Sequence, residues 1–224
     1  MSDNNNESIL ARVISIILHP LFMTIYGVCL LFVYTDFYFL FAGQLITFLL
    51  PVFFMSCFIP ASSIYFLKKG GFIKDYGLKD KEDRFLPFTI AFISYGMLVY
   101  FFFKAGLYIW FLSLLAAPLL LIIIAGIVTR WWKISAHMIG IGALIGGVMS
   151  VCYNVKGINP FILFIILFIL AGCLGVARLA LKRHSPAQVY AGFVLGFVIT
   201  YFCVWLGVNW VYILFKINGI ILNF

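Results

Sequence analysis

The chain has 224 residues, of which 65% are hydrophobic and only 10% charged, with a formal net charge of +8. A soluble domain carries about 25% charged residues and about 45–50% apolar ones. A water-soluble globule is therefore excluded, and lipid is the solvent for most of this protein. A bilayer is the expected partner, with no nucleic acid and no cofactor.

Backbone in lipid must satisfy its own hydrogen bonds, which leaves helices or closed barrels. The apolar runs here are about 18–28 residues long and do not alternate with polar residues. The fold class is all-α, a polytopic transmembrane bundle of about seven helices, with six as the alternative. Residues 1–7 form a polar, acidic tail with no signal-peptide pattern behind it. Helices are predicted at 8–34, 43–67, 87–104, 107–130, 135–153, 159–181 and 186–215, in a single membrane domain spanning 1–224. Pro20, Pro51 and Pro60 are expected to kink the first two. His19, beside Pro20, reads as a structural histidine at that kink. Residues 68–86 form a charged loop. The five cysteines fall in apolar runs without CxxC spacing and read as small buried hydrophobes.

If every segment spans, the amino terminus, the 68–86 loop, the 131–134 turn and the 182–185 turn share one face. Only Lys104, Lys156 and Lys216 of the fifteen basic residues lie opposite, and Asp36 is the one acid there. By the positive-inside rule the crowded face is cytoplasmic. A bacterial inner membrane is the expected location.

Charges at mid-membrane depth are nearly absent, which points away from an ion-coupled transporter. The polar residues gather at helix ends on the crowded face. Ser135, at the start of the fifth helix, suits an N-cap, and the free N–H groups after it form an anion site at the positive end of the helix dipole. His137 follows two residues later. Between helices six and seven runs ARLALKRHSPAQVYAG, residues 177–192. Pro186 fits the first position of a new helix, and Ser185-x-x-Gln188 matches a capping box. A chain break there lets Arg178 and His184 converge. Arginine forks suit phosphate oxygens, and histidines serve as nucleophile or acid near neutral pH.

Ser135-Ala136-His137, then Arg178-x5-His184 and Gly192-x3-Gly196, resemble the second and third signature motifs of the type 2 phosphatidic acid phosphatase (lipid phosphate phosphatase) superfamily. Those motifs read PSGH and SR-x5-H-x3-D, and the resemblance covers roughly residues 75–200. It implies a phosphatase-like helical core and metal-independent hydrolysis of lipid phosphates. It implies His184 as the nucleophile, His137 as the acid, and Arg178 and Ser135 as phosphate ligands. The family's first motif, K-x6-R-P, is broken: Arg84 is the counterpart of its arginine, Gly77 stands where its lysine would be, and the next proline is Pro87. Lys81 or Lys79 stands in for that lysine. Ala177 replaces the serine before the arginine, and Gln188 replaces the aspartate that orients the nucleophilic histidine.

Two functions follow. The first is a membrane-embedded hydrolase acting on a lipid phosphomonoester or diphosphate through a phosphohistidine. The alternative is a catalytically degenerate relative that binds anionic lipid or a partner protein without turnover. A Mg²⁺-dependent prenyl-transfer site at Asp75–Asp83 is disfavoured, because Lys79 and Lys81 interrupt the acids and no second acidic cluster exists. Charge bias places the site on the cytoplasmic face, whereas many relatives of that superfamily work on the outer or lumenal side.

Overall fold

The computed structural model describes residues 3–76 and 82–221. Every regular element in it is helical: α1 (Asp3–Ile17), α2 (Pro20–Tyr34), α3 (Phe37–Leu40), α4 (Leu45–Val52), α5 (Ile59–Lys69), α6 (Phe85–Lys104), α7 (Ile109–Thr129), α8 (Ala136–Ser150), α9 (Phe161–Ala180) and α10 (Pro186–Ile221). Among the described residues, six helical stretches are long and apolar enough to cross a membrane. They are Leu45–Lys69, Phe85–Lys104, Ile109–Thr129, Ala136–Lys156, Phe161–Ala180 and Pro186–Trp210. Residues 9–17 and 20–34 make a seventh candidate, broken by a 54° bend.

The bend lies where Pro20 removes a backbone donor. His19 is the N-cap of α2, and its Nδ1 accepts the Leu21 N–H at 3.4 Å. The expected single first helix is thus two helices, with α1 bent aside to pack along α9. At Pro51 and Pro60 the outcome differs: the stretch Phe53–Phe58 winds as a π-helix between α4 and α5. The wider turn frees the Met55 carbonyl, which accepts the Ser94 hydroxyl of α6. A second π segment, Val151–Lys156, extends α8.

Helix α8 is the central element, about two thirds buried along its span. It packs against α10 through facing glycines. A Cβ on Gly142 or Gly146 would strike the backbone of Phe193 or Phe197, and one on Gly196 would strike that of Ile139. Small residues permit this approach in a membrane, where packing and not hydrophobicity holds helices together. The contact is closest to the polar end at Gly192, whose Cβ position lies 2.8 Å from the Ser135 carbonyl. The start of α10 is thereby pinned beside the start of α8.

The sidedness expected from sequence is consistent with the arrangement. Asp75, Arg84, Lys133 and His184 all border one cavity, while Lys156 pairs with Asp36.

Candidate functional site

Helix α9 ends in a Schellman turn. The Arg183 N–H donates to the Arg178 carbonyl at 3.2 Å, and the Lys182 N–H to the Leu179 carbonyl at 2.9 Å. The residue between must be left-handed, and here it is Lys182, with φ of 51°. The turn brings His184 back towards Arg178. Helix α10 then starts at Pro186 with the capping box read from sequence: the Gln188 N–H donates to Ser185 Oγ at 3.4 Å, and the Ser185 N–H donates to Gln188 Oε1 at 3.1 Å.

That capping box fixes the tautomer of His184. An N–H can only donate, so the Gln188 atom facing Ser185 is its oxygen. The same oxygen lies 3.2 Å from His184 Nδ1. Nδ1 therefore carries the proton, and Nε2 keeps its lone pair. The amide is not free to flip, because flipping would set NH₂ against N–H. Burial pushes the His184 pKa down from 6.5 to about 4, against the Gln188 hydrogen bond and with the help of the Arg178, Lys133 and Arg84 charges. His184 is neutral at pH 7.

His137, in the first turn of α8, is oriented from α1. Its Nε2 lies 3.2 Å from the Ser15 carbonyl, which can only accept. The proton is on Nε2, and Nδ1 is the nitrogen left for exchange. Ser15 also engages Arg178, whose Nη1 donates to Ser15 Oγ at 3.3 Å. Among the described residues Arg178 Nε is buried without a partner. A buried donor without a partner is costly, and an anion at the site would supply the acceptor.

These side chains border one cavity of about 670 Å³. At its polar end stand His19, Arg84, Lys133, His137, Arg178, Arg183 and His184. The sequence-predicted His184, His137, Arg178 and Arg84 are thus brought together. Ser135 is not on the cavity wall: it is fully buried beside Gly192, and its Oγ has no hydrogen-bond partner among the described residues. It occupies the N-cap position but its side chain makes no capping bond. Gln188 stands behind His184, as an orienting residue would. Lys81, with Lys79, Gly77 and Asp80, lies outside the described residues. Of the other acids, Asp75 borders the cavity, and buried Asp83 accepts the Lys74 N–H at 2.9 Å.

Two residues of the site carry no motif. Ser15 bridges His137 and Arg178, and His19 packs edge-on against His137 with ring centroids 5.0 Å apart. His19 caps the kink as expected and also borders the cavity, so all three histidines of the chain meet there. An ionisable residue inside an apolar run is a functional candidate by default, which was the available signal for His19. No signal marked Ser15.

Among the described residues no three His, Cys, Asp or Glu side chains group as metal ligands would. The arrangement offers a neutral imidazole with a free Nε2, a second imidazole with an exchangeable Nδ1, and four cationic side chains around them. That set can hold a phosphate and exchange protons with it. No family model, curated protein or solved structure matches the chain.

Proposed function

We propose that the chain is a membrane-embedded phosphatase of lipid phosphates, a divergent relative of the type 2 phosphatidic acid phosphatases with that superfamily's core. The observation that carries this reading is the meeting of His184, Arg178 and His137 at the polar end of one cavity, with His184 Nε2 left unprotonated by Gln188.

The phosphate binds to Arg178, Arg84 and Lys133, which neutralise its charge as the reaction proceeds. His184 Nε2 attacks phosphorus, and the bond to the lipid oxygen breaks. His137 Nδ1 takes up the proton carried by the bound phosphate monoanion and delivers it to the leaving oxygen. Water then attacks the phosphohistidine, giving its proton to His137, and inorganic phosphate leaves with His184 restored. The positive charge needed is supplied by side chains, so turnover is expected to persist in EDTA. Charge bias puts the polar end on the cytoplasmic side, of a bacterial inner membrane.

The test is phosphate release from a panel of lipid monophosphates and diphosphates by the purified protein. Loss of release on His184→Ala and on Arg178→Ala supports the reading. Release by the wild type equal to that of His184→Ala across the panel refutes it. One observation favours the second reading, a lipid-binding protein without turnover: Gln188 brings no negative charge to the imidazolium. Lipid binding that survives His184→Ala, in a wild type with no release, is its signature.

A further inference from the structure

The cavity does not stop at the charges. Along α8 its wall runs from Ala136 to Val148, about 18 Å at ~1.5 Å per residue. Along α7 it runs from Ala125 back to Leu114, about 16 Å by the same rise. A bilayer's hydrocarbon core is about 30 Å thick, so the cavity descends past the midplane. Beyond the first turn its walls are apolar, with Val28, Ala91, Leu121 and Leu144 among them. The hydroxyls of Thr24 and Tyr95 on that wall bond each other at 2.8 Å. Its far end is lined by Leu115, Val148 and Thr200, each buried. Beside them Gly147 is hemmed in by Leu114 and Thr200.

A cationic mouth on an apolar shaft that ends at buried side chains has the polarity of one kind of ligand. We infer that the cavity takes a phosphate-headed lipid with a single apolar chain, the chain inside the protein and its length measured by the floor at Leu115, Val148 and Thr200. The volume is that of a site enclosing one small ligand, within the range of about 300–1,000 Å³, and not of a groove for a two-chain lipid. The shaft also abuts the bilayer: Arg84, Phe88 and Ile122 wall it on one side and a groove of about 420 Å³ between α6 and α7 on the other. A lipid drawn headgroup first past Arg84 enters without leaving apolar surroundings.

This inference rests on the phosphatase reading for its substrate but not for its test. Binding of a series of n-alkyl monophosphates of increasing chain length is measured on His184→Ala protein in nanodiscs, with empty nanodiscs as the blank. Each added methylene tightens binding by up to about fourfold until the chain meets the floor, after which the gain stops. Ala91→Phe, halfway down, moves that break to shorter chains, and Val148→Ala moves it to longer ones. A break that stays in place in both variants, or affinity that climbs without a break, overturns the shaft. Phosphate release is followed separately on the wild type. Its failure sinks the phosphatase reading and leaves the break in binding intact.

Discussion

The side-chain oxygen of Gln188 is shared between His184 Nδ1, at 3.2 Å, and the Ser185 N–H, at 3.1 Å. A helix cap thereby selects the tautomer of the residue proposed as nucleophile. In serine proteases an aspartate-to-amide change costs about 10⁴ in rate, largely through the wrong tautomer. Here the tautomer is right and only the negative charge is missing. Gln188→Glu keeps the reach and restores the charge, so kcat is expected to rise, by well under that factor. Gln188→Leu loses both roles and is expected to lower kcat sharply. Steady-state phosphate release on the two variants checks this.

The acid limb of activity follows from the same pair. His184 titrates near pH 4 when folded and near 6.5 when exposed. Between those values the unfolded chain binds a proton that the folded one refuses, so His184's contribution makes stability fall as pH drops from 6.5 towards 4. His184 stays neutral through that window, so the proposed activity is expected to show an acid limb in kcat/KM near 4. Gln188→Glu places a carboxylate on Nδ1 and moves the limb upward. Profiles of both proteins with one substrate cancel the substrate's own ionisation. An unmoved limb contradicts the assignment.

Lys182 is the one described non-glycine residue with positive φ. The ends of α5 and α6 use Gly71 and Gly106 for the same turn. A left-handed conformation costs an L-residue about 1–2 kcal/mol, part of which glycine's chain entropy takes back. Lys182→Gly is expected to stabilise the protein by about 1 kcal/mol, or about 2–4 °C in Tm, with the Arg178–His184 geometry kept. A thermal melt of each reads the difference.

Much of this architecture was legible because lipid leaves so few choices. The apolar runs located the spanning helices to within a few residues. Pro186, Ser185 and Gln188 located the α9–α10 turn, since each has one strong local reason to be where it is. The legible part of the site was local too: Arg178, His184 and Gln188 lie within one stretch of chain. What the sequence did not disclose depends on helices meeting from far apart. Ser15 reaches His137 and Arg178 because the chain bends at His19 and lays α1 along α9, and a buried serine in an apolar helix looks like any other. His19 read as a kink residue because Pro20 explained it locally, and its place beside His137 is tertiary. Ser135 shows the converse: its position matched a motif, yet it is buried beside Gly192 and does not line the cavity.

The α8–α10 contact is expected to fail at one small change. Gly146→Ala puts a methyl group onto the Phe197 backbone, which cannot yield as a side-chain tip does. Overpacking of this kind costs about 1–3 kcal/mol. The control is Gly172 on α9, where a Cβ meets nothing within 4 Å. Gly172→Ala is expected to be neutral or slightly stabilising, by up to about 1 kcal/mol. Tm and phosphate release should fall together in Gly146→Ala, because the same contact holds α8 and α10 at the distance the site needs.

The central claim is that His184 Nε2 bonds covalently to phosphorus. Wild-type protein mixed with a lipid phosphate labelled at phosphorus, and quenched within one turnover into alkali where a P–N bond survives, tests it most directly. The account predicts label on the protein at His184, absent from His184→Ala and accumulating in a variant of His137 only where the leaving group needs no proton. Phosphate release by the wild type without any labelled protein at any quench time would contradict it.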